Sequence, residues 1–315
     1  SAASDVYKRQ EVKRAIADMV VRGAPAIGVT AAFGVANAVW NCKNNREAKK
    51  AFERAYSILK VARPTAVNLV WALDRLKKVA ECSKNVREDL IREAIEIAKE
   101  DERINRMIGK IGEKFIKNGS SVLTHCNAGA LACYSYGTAL GVLRAAMEKG
   151  KKFKVYATET RPYLQGARIT VFELMKEKMD VTLITDMTAG YLMSKGEIDT
   201  IIVGADRILR TGHVINKIGT YTLSVVAKEN NLPFYVAAPM STFDAKSDLK
   251  DVEIEERDKR EVTHVFGRPI TVPEVKVRNP AFDITPPENI KCIITERGAV
   301  KASEICKLYS VYNKI

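Results

Sequence analysis

The sequence is poor in the residues that bind metals, and it lacks the patterns of several common cofactor sites. It has only three histidines, and its six cysteines are scattered without a CxxC pair. Neither residue type recurs at the spacing of a zinc site, and the cysteines are expected to be thiols in a reducing compartment. No GxGxxG follows a predicted strand, and neither GxxxxGKS nor GxxxxGKT occurs, so nothing favours a dinucleotide or a nucleoside triphosphate. We therefore expect neither a metal nor a cofactor.

Long apolar runs are also missing. No stretch reaches the roughly 18 consecutive apolar residues that suggest a membrane span, and the first residues lack the apolar region of a signal peptide. The chain of 315 residues is 46% hydrophobic and 28% charged, which is an ordinary globular composition with room for two domains. We therefore expect a cytoplasmic protein without a membrane partner.

Basic residues outnumber acidic ones, and the formal net charge is +13. They are spread along the chain and often alternate with acids, as in residues 47–54. No basic stripe interleaved with aromatic residues and no helix-turn-helix pattern stands out, which argues against a nucleic-acid partner. The excess charge is better explained by a lysine-rich surface with a bias towards anionic ligands.

The periodicity of the sequence changes along the chain. Residues 1–10 (SAASDVYKRQ) carry no hydrophobic period and look like a leader that does not belong to the fold. Residues 11–118 have helical periodicity, and Pro25 suits the first turn of a small, apolar helix over about residues 26–41. Residues 119–315 alternate short β-branched runs with helical stretches, which is typical of parallel βαβ units. The expected fold is therefore α/β, with an all-helical N-terminal domain and a Rossmann-like C-terminal domain whose mainly parallel sheet is flanked by helices.

Six short runs are predicted to be the strands of the C-terminal domain. They lie at residues 122–124, 154–157, 181–185, 200–203, 234–237 and 292–294. Helices are predicted at about residues 130–149, 165–178, 187–195, 217–230 and 241–249. In such open sheets ligands bind at the carboxyl ends of the strands. The polar residues that follow each strand are therefore expected to meet at one edge of the sheet.

Cys126 lies within residues 124–129 (THCNAG), where a predicted strand ends and a helix is expected to begin near Ala128. The N–H groups and dipole of a helix N-terminus lower the pKa of a thiol, which makes Cys126 a candidate proton shuttle or nucleophile. The alternative is a buried small residue, which cysteine often is. Cys133, further along the same predicted helix, is expected in the core.

Asp206 follows a predicted strand and two small residues, so its carboxylate is a candidate general acid or base. The alternative is a helix N-cap or an ion-pair partner of Arg207. Three further segments, at residues 22–24, 63–65 and 216–220, place a cation at a predicted helix start, where free N–H groups suit a phosphate or another anion. A cysteine and an aspartate beside such a site suggest proton-transfer chemistry on a sugar phosphate.

Several longer stretches resemble one known family. They are VVRGAPAIGVTAAFG, RPTAVNLVWAL, THCNAGALA, VYATETRPYLQGARIT, DMTAG, GADRI, NKIGTYTLSVVAKENNLPFYVAAP and NPAFDITPPENI. Over about residues 11–300 the chain is similar to the 5-methylthioribose-1-phosphate isomerases. These are grouped with the regulatory α/β/δ subunits of the initiation-factor-2B exchange factor and with the archaeal ribose-1,5-bisphosphate isomerases.

The resemblance implies a reversible aldose–ketose isomerisation, in which 5-methylthioribose 1-phosphate becomes 5-methylthioribulose 1-phosphate during methionine salvage. It implies that Cys126 and Asp206 are catalytic, with Asp206 as the proton donor, and that the substrate is a phosphorylated pentose. It also implies a set of substrate-binding residues: Arg22, Gly23, Ala24, Arg63, Gln165, Asn216 and Lys217. It implies no cofactor or metal, and it leads us to expect a homodimer.

Related functions remain open. An isomerase of ribose 1,5-bisphosphate or of 5-deoxyribose 1-phosphate would share the fold, and so would a non-catalytic regulatory subunit of the exchange factor. Regulatory subunits need not keep the pair of Cys126 and Asp206. A bisphosphate substrate would need further cationic groups, for which Arg161 and Arg207 are the candidates.

Overall fold

Helices fill the first part of the chain, and strands alternate with helices in the rest. The structure is a computed structural model that describes residues 2–18, 20–63 and 66–312. Its helices are α1 Ala2–Ala17, α2 Ala24–Val39, α3 Asn45–Lys60, α4 Val67–Cys82, α5 Val86–Gly112, α6 Ala139–Glu148, α7 Val171–Lys176, α8 Thr188–Ser194, α9 Thr220–Glu229, α10 Arg260–Thr263 and α11 Ile305–Tyr312. Its strands are β1 Ser121–Thr124, β2 Lys154–Thr158, β3 Asp180–Ile184, β4 Thr200–Val203, β5 Arg207–Leu209, β6 Val214–Lys217, β7 Phe234–Ala237, β8 Phe243–Asp244, β9 His264–Val265, β10 Arg268–Pro269, β11 Phe282–Thr285, β12 Cys292–Thr295 and β13 Gly298–Val300.

The chain divides into two compact units. The first comprises residues 1–106 and 130–137, and the second comprises residues 107–129 and 138–315. The first unit is helical, and the second contains the parallel sheet with its helices, so the predicted fold class is confirmed. Within the described residues, no helix combines the length and the apolar character that crossing a membrane requires.

Helix α2 in the first unit is built from small and apolar residues and is buried along most of its length. Pro25 occupies its first turn, where a missing N–H removes no intrahelical hydrogen bond. Gly28 permits a close approach of α4, since a Cβ atom there would lie 2.9 Å from the carbonyl oxygen of Asn68. The prediction that this helix packs against another backbone is therefore confirmed.

A seven-stranded sheet forms the centre of the second unit, in the order β13-β12-β7-β4-β1-β2-β3. All neighbours pair in parallel except β12 and β13. The six predicted strands correspond to β1, β2, β3, β4, β7 and β12. Parallel pairing brings their carboxyl ends to the same side, which we call the carboxyl edge; it carries the residues directly after Thr124, Thr158, Ile184, Val203 and Ala237.

A smaller sheet has the strand order β11-β6-β5-β8. Its strand β5 directly follows β4 along the chain. Strands β5 and β6 are antiparallel neighbours, and β11 pairs with β6 so that Asp283 lies opposite Asn216. The prediction of a helix over residues 217–230 is therefore wrong at its start, because Lys217 ends β6 and α9 begins at Thr220. Strand β6 owes its conformation to a partner from a distant part of the sequence, which local periodicity does not reveal.

The helix predicted over residues 130–149 is also wrong in its first half. Helix α6 begins only at Ala139, because Tyr136 and Gly137 have φ values of 69° and 82°, outside the helical range. Cys133 is buried as expected, but it lies in the segment of turns before α6.

The helix predicted over residues 241–249 is absent from this described segment. Short helical turns at Met240–Thr242 and Leu249–Asp251 flank β8 instead. Strand β8 pairs with β5, and this long-range pairing decides the local conformation.

Candidate active site

Cys126 lies in the turn that follows β1, with a left-handed backbone at a φ of 64°. Its N–H donates to Thr160 Oγ1 over 2.9 Å, and its carbonyl oxygen accepts from the Thr170 hydroxyl over 2.5 Å. The next residue, Asn127, donates from its side-chain amide to Thr170 Oγ1 and to Glu173. Thr160 also has a positive φ, of 63°, although it is β-branched. Residues other than glycine with a positive φ are often found at functional sites.

Gln165 lies beside the Cys126 thiol and donates from Nε2 to its sulfur over 3.3 Å. Burial raises the pKa of this thiol above its ordinary value, while the charge of Lys217 lowers the pKa and the charge of Asp206 raises it. The net effect is a thiol that stays protonated at neutral pH. The prediction of a helix N-terminus that lowers the pKa of Cys126 is therefore wrong, since α6 begins well after this turn.

Asp206 lies between β4 and β5, where the chain passes from the large sheet to the small one. Its N–H donates to the carbonyl oxygen of Ile215 over 3.0 Å. The guanidinium of Arg207 donates to Asp244 over 2.8 Å and to Ser247 over 2.7 Å, which ties Arg207 to the small sheet. Asp206 follows β4 and Cys126 follows β1, its parallel neighbour in the large sheet, so both residues lie at the carboxyl edge.

Asn216 and Lys217 end β6, and both are nearly buried, with 4% and 6% of their surfaces exposed. Lys217 Nζ donates to the carbonyl oxygen of Ala281 over 2.8 Å and lies 4.6 Å from the centroid of the Phe282 ring. The Asn216 amide donates to the hydroxyl of Thr220 over 3.1 Å. The charge of Lys217 also acts on the carboxyl group of Asp283, which lies on the paired strand β11.

At the N-terminus of α9, where the sequence suggested free N–H groups, two N–H groups already have a protein acceptor. Asp283 accepts hydrogen bonds there from the N–H groups of Gly219, over 2.7 Å, and of Tyr221, over 3.0 Å. Burial raises the pKa of Asp283 to about 6, although these donors and Lys217 act in the opposite direction. The expectation that both N–H groups are free for a phosphate is therefore wrong, because a protein carboxylate already accepts from them.

Gln165 was identified by the family resemblance alone, and the structure places it at the thiol. It is 7% exposed and precedes a π-helical turn, Gly166–Thr170. Its Oε1 atom is buried and has no hydrogen-bond partner among the described residues. The one local signal is the glycine that follows it, since a Cβ atom on Gly166 would lie 1.8 Å from the carbonyl oxygen of Thr158. An unsatisfied buried oxygen beside the thiol is a position that a ligand hydroxyl would complete.

Arg22, Gly23 and Ala24 lie in the first unit, where the chain turns into α2. Gly23 has a φ of 93°, and a Cβ atom there would lie 2.3 Å from the carbonyl oxygen of Ala132, so this turn requires glycine. Ala24 is buried, and the side chain of Arg22 is half-buried.

Arg63 follows α3 in the same unit and is half-buried. Pro64 and Thr65, the rest of that predicted segment, lie outside the described residues. In the part of the chain that the structure describes, no three His, Cys, Asp or Glu side chains are grouped so as to hold a metal ion.

The chain belongs to the initiation factor 2 subunit family, whose model matches residues 20–302. A relative named methylthioribose-1-phosphate isomerase 1, from Pseudothermotoga lettingae, is 52% identical to this chain. The match covers 95% of this chain and 89% of the relative. The solved structure of 5-methylthioribose 1-phosphate isomerase from Pyrococcus horikoshii has a TM-score of 0.89 at 44% identity, covering 96% of this chain and 88% of that one. A second solved structure, named translation initiation factor eIF-2B, subunit delta, from A. fulgidus, has a TM-score of 0.86 at 46% identity, covering 96% and 91%. The family suggested by the sequence is thereby confirmed.

Proposed function

We propose that this protein isomerises 5-methylthioribose 1-phosphate to 5-methylthioribulose 1-phosphate, a step of methionine salvage. The observation that carries the proposal is the Cys126 thiol, which accepts from Gln165 over 3.3 Å in the turn after β1, with Asp206 after the neighbouring strand β4 and the buried Lys217 at the end of β6. An aldose–ketose isomerase must move hydrogen between two adjacent carbons of a substrate that carries a phosphate. Cys126 and Asp206 can carry protons, and the ammonium group of Lys217 can pair with an anion.

Each group has a proposed role. Asp206, in its protonated form, is the proton donor, and Cys126 is the second catalytic group. Gln165, Asn216 and Lys217 bind the substrate at the carboxyl edge of the second unit. Substrate-binding roles for four residues of the first unit remain predictions of the family resemblance: Arg22, Gly23, Ala24 and Arg63.

The reaction must begin with assisted ring opening, because a phosphate on the anomeric oxygen locks the ring. Asp206 gives its proton to the ring oxygen as the bond between that oxygen and C1 breaks. A hydrogen then moves from C2 to C1, and the proton on the C2 hydroxyl leaves to the Asp206 carboxylate. C2 becomes the ketone carbon, C1 keeps its phosphate, and Asp206 regains its starting state.

Two routes differ in how the hydrogen on C2 travels. It moves as a proton if Cys126, as a thiolate, takes it from C2 and returns it to C1 through an enediolate. It moves as a hydride if it passes directly to C1 while the neutral thiol hydrogen-bonds the forming carbonyl oxygen. Burial raises the pKa of Cys126 and so disfavours the thiolate that the proton route requires, which supports the hydride shift. In heavy water the hydride shift predicts that C1 keeps the C2 hydrogen, whereas solvent deuterium at C1 would support the enediolate.

The charges at the carboxyl edge favour a monophosphate over a bisphosphate. The Arg161 guanidinium donates to the carbonyl oxygens of Pro162, over 2.9 Å, and Val262, over 3.0 Å. Arg207 pairs with Asp244. Both cations that were candidates to bind a second phosphate therefore already have protein partners.

A turnover assay with three substrates tests the proposal: 5-methylthioribose 1-phosphate, 5-deoxyribose 1-phosphate and ribose 1,5-bisphosphate. We expect the highest kcat/KM for the first. A higher kcat/KM for the bisphosphate would support a bisphosphate isomerase. No turnover of any of the three would support the alternative of a non-catalytic subunit of an initiation-factor-2B-like factor; the A. fulgidus relative is named as a delta subunit of such a factor.

We also infer a homodimer that forms through the β3 side of the second unit. Strand β3 ends the large sheet, and an unpaired edge strand is a template for association. Exposed apolar side chains accompany it on α7, on β3, just before α8 and on α8: Phe172, Met175, Leu183, Met187 and Tyr191. A second copy covering this surface would remove it from water.

Light scattering after gel filtration tests the homodimer. Wild type is expected at twice the mass of one chain, and Met187→Glu at the mass of one chain. Phe266→Glu changes a similarly exposed apolar residue in the turn between β9 and β10, and it should leave the mass at that of wild type. A monomeric wild-type protein would contradict the inference.

Four of the cysteines, Cys82, Cys126, Cys292 and Cys306, are free thiols, which suits the cytoplasmic location that we propose.

A further inference from the structure

A chain of hydrogen bonds runs beneath the carboxyl edge from Cys126 to Ile218. The N–H of Cys126 donates to Thr160 Oγ1 over 2.9 Å, and the hydroxyls of Thr160 and Thr158 lie 3.1 Å apart. The Thr158 hydroxyl lies 2.6 Å from His125 Nδ1, and His125 Nε2 lies 2.9 Å from the carbonyl oxygen of Ile218. His125 is 2% exposed, and both threonines are fully buried, so water does not compete for these bonds.

The carbonyl of Ile218 constrains the directions of these hydrogen bonds. A carbonyl oxygen only accepts, so His125 Nε2 must carry a proton and donate it. Burial lowers the pKa of His125, against the opposing charge of Asp186, so the ring is neutral and its Nδ1 accepts from the Thr158 hydroxyl. Thr158 Oγ1 is then left as an acceptor, and the Thr160 hydroxyl lies 3.1 Å from it and 3.3 Å from the carbonyl oxygen of Thr158, while Thr160 Oγ1 accepts the N–H of Cys126.

The two ends of the chain coincide with proposed site residues. Cys126 and Thr160 both have left-handed backbones, and the bond between them holds two strained positions together. At the other end, Ile218 directly follows Lys217. Gly219 lies against the imidazole, because a Cβ atom there would come within 3.2 Å of His125 Nε2. The hydrogen bonds therefore connect the turns after β1, β2 and β6.

We propose that His125, Thr158 and Thr160 are positioning residues that hold the Cys126 turn and the Lys217 turn in their active arrangement. This inference rests on the proposed isomerase function. None of these three side chains is among the proposed substrate-binding residues. A misplacement of a reacting group by about 1 Å is enough to lower a rate about a hundredfold, so loss of one link is expected to affect kcat.

Thr158 offers a matched pair of variants. Thr158→Val keeps the shape of the side chain and removes the hydroxyl, whereas Thr158→Ser keeps the hydroxyl. We expect Thr158→Val to lower kcat about tenfold or more with little change in KM, and Thr158→Ser to restore most of kcat. A structural role alone would lower the melting temperature without changing kcat of the folded enzyme below that temperature. A folded Thr158→Val enzyme with the kcat of wild type would overturn the inference.

The alkylation rate of Cys126 by iodoacetamide, followed by mass spectrometry of each cysteine, gives a measurement that needs no turnover. We expect Thr158→Val to change the rate at Cys126, Thr158→Ser to restore it, and the rate at exposed Cys82 to stay constant in both. An unchanged rate at Cys126 would overturn the inference even if wild type lacked isomerase activity. Inactive wild type would by itself contradict only the proposed function.

His125 provides a second pair in case valine at position 158 prevents folding. His125→Gln keeps a donor for the carbonyl of Ile218, whereas His125→Leu removes it. The leucine variant is expected to lose more of kcat than the glutamine variant, and to differ more from wild type in alkylation of Cys126. Equal behaviour of the two variants and wild type would overturn the inference.

Discussion

The side-chain amide of Gln165 donates a hydrogen bond to the sulfur of Cys126 over 3.3 Å. The oxygen of the same amide, Oε1, is buried and has no hydrogen-bond partner within the described part of the chain. A buried polar atom without a partner costs free energy, and a hydroxyl of a bound sugar would recover that cost. This hydrogen bond therefore joins Gln165, a proposed substrate-binding residue, to Cys126, a proposed catalytic residue.

Replacing Gln165 by leucine is expected to raise KM for 5-methylthioribose 1-phosphate about tenfold, because one hydrogen bond to the substrate is lost. Steady-state kinetics measure KM and kcat for the variant. Asn118→Leu, which changes an amide side chain before β1, is the matched control and should keep the KM of wild type. If KM of the Gln165 variant also stayed the same, Gln165 would not bind the substrate.

Replacing Gly166 by alanine is expected to destabilise the protein by about 2 kcal/mol or more. The added Cβ atom would lie 1.8 Å from the carbonyl oxygen of Thr158, and a backbone atom in a central strand cannot move aside. Gly190→Ala is the control, since its Cβ atom would meet no other heavy atom closer than 3.8 Å and alanine favours helix α8. Chemical unfolding measures both variants, and a Gly166→Ala protein as stable as wild type would contradict the packing described here.

Asp101 on α5 accepts hydrogen bonds from the N–H of Tyr134, over 2.8 Å, and from the amide of Asn105, over 2.9 Å. Burial nevertheless raises the pKa of Asp101 to about 6. The folded protein therefore binds this proton more tightly than the unfolded chain does. The contribution of Asp101 to stability is largest below about pH 4 and is lost as the pH rises through about 6.

The Asp101→Asn variant has no such proton to lose. Its free energy of unfolding, relative to wild type, is expected to increase by about 2 kcal/mol between about pH 4.5 and about pH 7.5. Urea unfolding of both proteins at the two pH values measures this change. A difference that is the same at both pH values would show that the pKa of Asp101 is not raised.

The large sheet and the first helices were predictable because their signals are local. Central parallel strands are covered on both faces and therefore appear as continuous apolar runs, such as Ile201-Ile202-Val203. Pro25 marked the start of α2 because proline suits a first helical turn. The small sheet carries no comparable signal, since β6 becomes a strand by pairing with β11 from a distant part of the chain.

The sequence predicted that Cys126 and Asp206 follow strands, and the structure places them after β1 and β4; the surroundings of the thiol were not predicted. Cys126 and Asp206 follow from the rule that ligands bind at the carboxyl ends of parallel strands. The pKa of Cys126 was predicted in the wrong direction, because the sequence shows neither the burial of the thiol nor the late start of α6. Asp283 was missed because only the pairing of β11 with β6 brings it to the N-terminus of α9.

The most direct measurement of the central claim is phosphorus NMR of 5-methylthioribose 1-phosphate incubated with wild type, Cys126→Ala and Asp206→Asn. Cys292→Ala, which removes a buried thiol on β12, is the control for loss of a cysteine as such. We expect conversion to the ketose by wild type and the control, and rates at least about a hundredfold lower for the two site variants. Conversion at the wild-type rate by either folded site variant would contradict the account.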